Sequence, residues 1–333
     1  MRKALLSTLL LALVACTSAP PVSPTKESMQ VLAQDNNFAL VRLQRGQNMA
    51  DVAAAFLGDA GEVWQLKEVN GNTASVPGQV VAVPLTPTNP SSVYVDGYRV
   101  LPILCYHQYT NNTVTQNQLE ITADAFEKQM LYLLANDFRI LSFAEAEQII
   151  RQGQPIPEQA VVITIDDGYR SIYDVAWPIL KKHGIKATLF IYTDFIGGGK
   201  ALNWSQIQEM KNSGLIEIES HGKSHASLSR LPEDENMANY QARIESEIKG
   251  SNAAFKKHLG APARYISYPY GNTSTTASDI LKNTGYALAA TVTRGENTTY
   301  SDPFYLHRTM IYADHDLDRF ARFTRGYRSK NLQ

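Results

Sequence analysis

Five consecutive β-branched residues, Val161-Val162-Ile163-Thr164-Ile165, constrain this chain more than any other feature. A run with no polar alternation is stable as a strand covered on both faces, which points to a parallel sheet flanked by helices. Asp166-Asp167-Gly168 follows it at once. Two other segments repeat the arrangement. Residues 215–219 read as a strand leading into Ser220-His221-Gly222-Lys223-Ser224-His225. Residues 263–268 read as a strand carrying Arg264 and ending at Pro269-Tyr270-Gly271. In parallel α/β folds, chemistry gathers beyond the C-terminal ends of strands. Two adjacent carboxylates, two imidazoles and a cation are the parts of a mononuclear metal hydrolase. A divalent ion held by two or three N/O ligands keeps a place for water, and an unligated carboxylate can take that water's proton.

Helical periodicity alternates with the strands. Residues 123–134 turn Phe126, Met130, Leu133 and Leu134 to one face; 143–151, 172–183 and a long polar-faced stretch over 235–259 also read as helices. Residues 187–191 form another buried strand. Such alternation gives a barrel or a doubly wound sheet, and periodicity does not separate the two.

The motifs resemble those of the polysaccharide deacetylases of the NodB-homology type, carbohydrate esterase family 4. Thr164-Ile165-Asp166-Asp167-Gly168 is similar to the T-F-D-D-G motif, and His221-Gly222-Lys223-Ser224-His225 to the H-[ST]-x-x-H motif, with Gly222 in place of the usual hydroxyl residue. Arg264 to Gly271 resembles the arginine-bearing third motif, and residues 101–107 the opening strand of many members. No aspartate-tryptophan segment, the family's fourth motif, stands around 289–298, and Asp302 to Arg308 resembles members whose last strand ends in an arginine motif. The resemblance spans roughly residues 98–328 and implies an incomplete, distorted (β/α) barrel. It also implies roles. Asp167, His221 and His225 would hold Zn²⁺, with Co²⁺, Ni²⁺ or Fe²⁺ as alternatives. Asp166 would be the general base, paired with Arg264, and the Tyr270 N–H would stabilise an oxyanion. The proton for the leaving amine would come from His307, His107 or a recycled Asp166. The implied reaction is N-deacetylation of a polysaccharide containing N-acetylglucosamine (GlcNAc), either peptidoglycan or poly-N-acetylglucosamine. An O-acetyl esterase and an inactive glycan-binding lipoprotein are the alternatives.

The N-terminus sets an expected compartment. Arg2 and Lys3 precede an apolar run over 4–14, too short to cross a bilayer and suited to a signal sequence. The run ends in Leu13-Val14-Ala15-Cys16, which resembles a bacterial lipobox. Residues 1–16 are then a lipoprotein signal, with Cys16 lipidated after export and the membrane as partner. Thr17 is not a retention aspartate, so a host with two membranes would place the anchor in the outer one, facing the periplasm. Cys105, the other cysteine, reads as inert core. A formal net charge of −1 gives no reason to expect a nucleic-acid partner.

Residues 17–37, rich in Ser, Thr, Pro, Gln and Asn, read as a flexible tether. From 38 to 85 the pattern is strand, helix, helix, strand, which resembles a LysM module, a binder of GlcNAc chains. Arg45-Gly46-Gln47 and Gly78-Gln79-Val80 carry that match, while Gln47-Asn48 replaces the usual Asp-Thr. Residues 86–97 read as a linker.

Overall fold

The computed structural model describes residues 25–71, 74–85, 89–94, 96–229 and 235–329; the signal segment and Cys16 lie outside these. The chain divides into two compact units, Met1–Thr88 and Asn89–Gln333.

In the first unit, antiparallel strands Gln30–Gln34, Phe38–Arg42 and Val80–Pro84 lie in that order, with helices Met49–Leu57 and Val63–Asn70 between the second and third. Alternation along Phe38–Arg42 turns Ala39 and Val41 into a core shared with Val52, Leu66, Val81 and Val83. Asn48 starts the first helix through a capping box with Asp51. The tether reading of 17–37 needs correction, because Gln30–Gln34 is a strand paired with Phe38–Arg42 across a bulge. All five of its residues are exposed, so no buried alternation marks it in the sequence. The linker reading of 86–97 is corrected likewise. Within it Val93–Tyr94 pairs with Gly97–Arg99, which pairs in turn with Tyr327–Ser329.

The second unit is built on a parallel sheet of eight strands. Seven run in the order Leu288–Ala290, Tyr265–Ser267, Ile216–Ser220, Ala187–Ile191, Ala160–Ile165, Ile103–Tyr106 and Thr309–Met310; Arg139–Leu141 pairs with the first half of Ala160–Ile165. A parallel bridge between Ala290 and Leu306 links the open end back toward Thr309–Met310. The sheet therefore curls into a distorted barrel rather than lying open as a doubly wound sheet. Side-chain alternation sorts the core. Val161, Ile163 and Ile165 pack outward with Ile172, Trp177 and Leu180, while Val162 packs inward with Ile103, Phe190, Ala290 and Leu306. The helix Phe143–Gln152 packs against the inner cluster, and its Phe143 and Ala144 N–H groups donate to Glu217 at 2.7 and 3.2 Å. The opposite ends of the strands are left for the polar residues.

Candidate metal centre and active site

Asp166, His107 and His221 each stand one residue beyond the C-terminal end of a barrel strand, and Ser267 is the last residue of another. Asp167 and His225 follow on turns. Asp167 Oδ1 lies 3.5 Å from His221 Nε2 and 3.4 Å from His225 Nε2, and the two Nε2 atoms are 3.2 Å apart. Ligand atoms about 2.0–2.1 Å from one centre at tetrahedral angles stand about 3.3 Å from each other. The three separations agree with that spacing, so the donor set fits a divalent ion of tetrahedral preference. His221 Nδ1 is 2.7 Å from the Ser267 carbonyl oxygen. A carbonyl only accepts, so Nδ1 carries the proton and Nε2 presents its lone pair to the cluster. Asp167, His225 and Tyr270 take φ values of 77°, 67° and 59°. Left-handed backbone at non-glycine residues is costly and concentrates at functional sites. Burial disfavours the Asp167 charge, but the neighbouring histidines hold its carboxyl well below the usual range.

Asp166 is turned the other way. It continues the inward side of Val162 and Thr164, and its carboxylate is buried. Arg308 grips it with both arms, Nη1 to Oδ1 at 2.8 Å and Nη2 to Oδ2 at 2.6 Å. Ser267 Oγ donates to Oδ2 at 3.0 Å. The remaining guanidinium hydrogens go to the Thr291 carbonyl at 2.8 Å, Thr164 Oγ at 3.0 Å and Ser267 Oγ at 2.6 Å. A buried bidentate pair with its outer lone pairs and protons also satisfied is the arrangement that survives desolvation. Burial alone would push the Asp166 carboxyl up, but the Arg308 charge and then that of His221 bring it down to about 2.

Two expected residues lie elsewhere. Arg264 does not pair with Asp166; its Nε and Nη2 donate to Glu147 at 2.8 and 2.5 Å. The reason is position along the strand, since Arg264 precedes Tyr265–Ser267 while the site collects after it. Arg308 takes the pairing instead. The signal that could have found it is the cation in Asp302 to Arg308, set among apolar neighbours. His307 sits beside Arg308, on the opposite side of the chain. Its Nδ1 hydrogen-bonds to the Thr293 carbonyl at 3.2 Å, and its ring lies against Gly295. His107 does reach the site. Ligand atoms of Cys105, His107 and Asp166 lie within 4.8 Å of one another. His107 Nδ1 is buried with no hydrogen-bond partner among the described residues. Burial lowers the His107 pKa against the pull of Asp166 and Asp167, and pushes the Cys105 thiol up. Tyr270 is on the rim, 62% exposed, with its ring centroid 4.5 Å from that of His225.

A family model described as polysaccharide deacetylase matches residues 153–289. The Bacillus subtilis (strain 168) protein YxkH, named provisionally as a polysaccharide deacetylase, is 32% identical over 211 residues, covering 63% of this chain and 71% of its own. A Staphylococcus aureus (strain MRSA252) poly-beta-1,6-N-acetyl-D-glucosamine N-deacetylase is 29% identical over 209 residues, covering 61% of this chain and 69% of its own. Among solved structures, IcaB from Ammonifex degensii superposes with a TM-score of 0.60 at 27% identity, over 68% of this chain and 97% of that one. The Streptococcus pyogenes deacetylase PplD in complex with acetate shares the fold, with a TM-score of 0.61 at 24% identity over 68% of this chain and 99% of that one.

Proposed function

This chain belongs to the polysaccharide deacetylase family, and we propose that it hydrolyses N-acetyl groups from poly-β-1,6-N-acetylglucosamine in a metal-dependent reaction. One observation carries the reading. Two adjacent carboxylates have separate surroundings, Asp167 facing two histidines at ligand spacing and Asp166 held off that cluster by Arg308.

Asp167, His221 and His225 would hold the ion. When bound, it would supply Lewis acidity toward the acetamide carbonyl and the attacking water. Asp166 takes the proton as water oxygen bonds to the carbonyl carbon. Arg308 keeps that carboxylate ionised and fixes its direction, at some expense in basicity. The Tyr270 N–H would stabilise the developing oxyanion. As the C–N bond breaks, the amine takes up the proton that Asp166 removed from the water, and His107, grouped with Asp166 at the barrel mouth, would pass it on. Acetate and a glucosamine unit leave.

We extend the proposal to the envelope. Lipidation at Cys16 would tether the enzyme to a membrane, and the strand–helix–helix–strand unit would retain GlcNAc chains near it. The test is acetate release from poly-β-1,6-GlcNAc, chitooligosaccharides and peptidoglycan, with and without chelator. Release from the first that stops on chelation supports the reading. Release from peptidoglycan alone moves the substrate assignment, and glycan retention without any acetate replaces the enzyme with a binding protein.

A further inference from the structure

We propose that Glu247, on the helix Met237–Leu259, is a positioning residue for the metal site. Its carboxylate holds the turn between His221 and His225 in the shape that lets both imidazoles face Asp167. The inference rests on the metal reading above.

That turn has a demanding task. His221 leaves a strand on the inner side, and four residues later His225 must face the same point with its own backbone left-handed at φ 67°. The intervening N–H groups need acceptors. Lys223 and Ser224 donate theirs to Glu247 Oε2 at 2.9 and 2.8 Å, and Ser224 Oγ–H donates to Oε1 at 2.6 Å. Three donors thus converge on one carboxylate that is only 7% exposed. A charge buried this far is tolerable because it is hydrogen-bonded on both oxygens.

The helix is shaped to this turn over one stripe, at spacings of three and four residues. Gly250 leaves room for the Lys223 stem, since a Cβ there would stand 2.6 Å from Lys223 Cδ. Glycine inside a helix costs about 1 kcal/mol relative to alanine, so that space is obtained against helix propensity. Ser251 Oγ lies 2.9 Å from Ser220 Oγ, which accepts the Gly222 N–H at 3.1 Å. Gly222 itself has φ 84°, and a Cβ on it would come within 3.3 Å of Glu247 Oε2. The glycine that departs from the family's hydroxyl residue therefore admits a carboxylate from outside the motif. Support for the turn comes from the helix.

The experiment uses the full-length protein, stripped with chelator and titrated with Zn²⁺ and Co²⁺. Co²⁺ is chosen because its visible bands report coordination geometry. Glu247→Ala is expected to weaken Zn²⁺ binding by about 10–100-fold, the range seen when supports of metal ligands are removed, and to alter the Co²⁺ bands. Glu247→Gln, whose amide oxygen can still accept both backbone N–H groups, is expected to restore the bands and most of the affinity. Ser224→Ala, which deletes one donor and leaves the helix untouched, is expected to weaken binding only a few-fold. A folded Glu247→Ala with wild-type affinity and spectrum overturns the inference. So does a folded Glu247→Gln no better than Glu247→Ala. If Glu247→Ala does not fold, wild-type affinity in Ser224→Ala together with an altered spectrum in Glu247→Gln overturns it. A folded wild-type protein that takes up neither ion refutes the metal reading itself, and the inference goes with it.

Discussion

Replacing Arg308 separates a catalytic pairing from a merely structural one. In Arg308→Met the side chain keeps its length, but Asp166 loses both guanidinium contacts, at 2.8 and 2.6 Å, while staying buried. Removing one partner of a buried ion pair costs about 3–5 kcal/mol, because the other charge is stranded. In a unit of this size each kcal/mol lowers the melting temperature by about 2–4 °C, so a drop of roughly 10 °C is expected. The comparison variant is Arg264→Ala. The Arg264 side chain is 58% exposed, and Glu147 keeps the Tyr265 hydroxyl at 2.7 Å, so the loss should be about 1 kcal/mol or less.

The pH dependence distinguishes the two more sharply. In the wild type the charges of Arg308 and His221 bring the Asp166 carboxyl down to about 2, below its ordinary value of 3.8. Its contribution to stability is therefore complete above roughly pH 4 and is lost as pH falls through about 2. Without Arg308 the leading remaining influence is burial, which raises the pKa. Asp166 should then take up its proton at higher pH than in the wild type, and the acidic limb of acetate release should move the same way. Arg264→Ala should leave that limb in place. The assay is rate against pH on metal-loaded protein, with thermal unfolding at each pH. If the limb moves in Arg264→Ala and not in Arg308→Met, the assignment of the pair is wrong.

Other substitutions divide the remaining roles. Asp167→Asn should weaken metal binding along with rate, whereas Asp166→Asn should keep the metal and lose about two to four orders of magnitude in rate; elemental analysis beside acetate release checks both, and the reverse pattern exchanges the roles. His107→Gln should slow acetate release by about 10²-fold or more with metal retained, while His307→Gln should leave the rate near wild type. A larger loss in His307→Gln would return it as the proton donor. Cys16→Ser should release the protein from the membrane fraction with acetate release intact, and continued detergent-dependent association would mean that another segment anchors it.

Much of the barrel was legible because buried parallel strands leave a strong trace. Val161 to Ile165 could hardly be anything else, and Ala160–Ile165 lies near the middle of the sheet order. The exposed edge strand Gln30–Gln34 left no such trace, since backbone pairing rather than a buried face holds it in place. At the site, Asp166, Asp167, His221 and His225 were legible because residues that follow strand ends share one mouth of a parallel barrel. Arg308 was harder to read. Its segment joins the sheet through the two-residue strand Thr309–Met310 and the single Leu306 bridge, too little to show periodicity. Arg264, on a longer apolar run, looked better placed and stands at the wrong end. Glu247 was out of reach because it contacts its turn across 23 and 24 residues of sequence.

The division of labour between Asp166 and Asp167 follows from one geometric rule and its violation. Alternation places Val162, Thr164 and Asp166 on the inner side of one strand, and Glu217, Glu219 and His221 on the inner side of another. Ser267 and Arg308 come inward from a third strand and from the closing segment. Continued extension therefore delivers Asp166 to Arg308 and Ser267, which fix the direction of its carboxylate. The next residue cannot follow. Extended backbone would turn Asp167 to the outer side, away from the histidines. Its φ of 77° breaks the alternation and swings the carboxylate back over the mouth. His225 and Tyr270, at 67° and 59°, do the same for an imidazole and a backbone N–H. The costly conformations thus fall on residues that must leave a strand's path to meet at one point, while those that reach it by alternation remain unstrained.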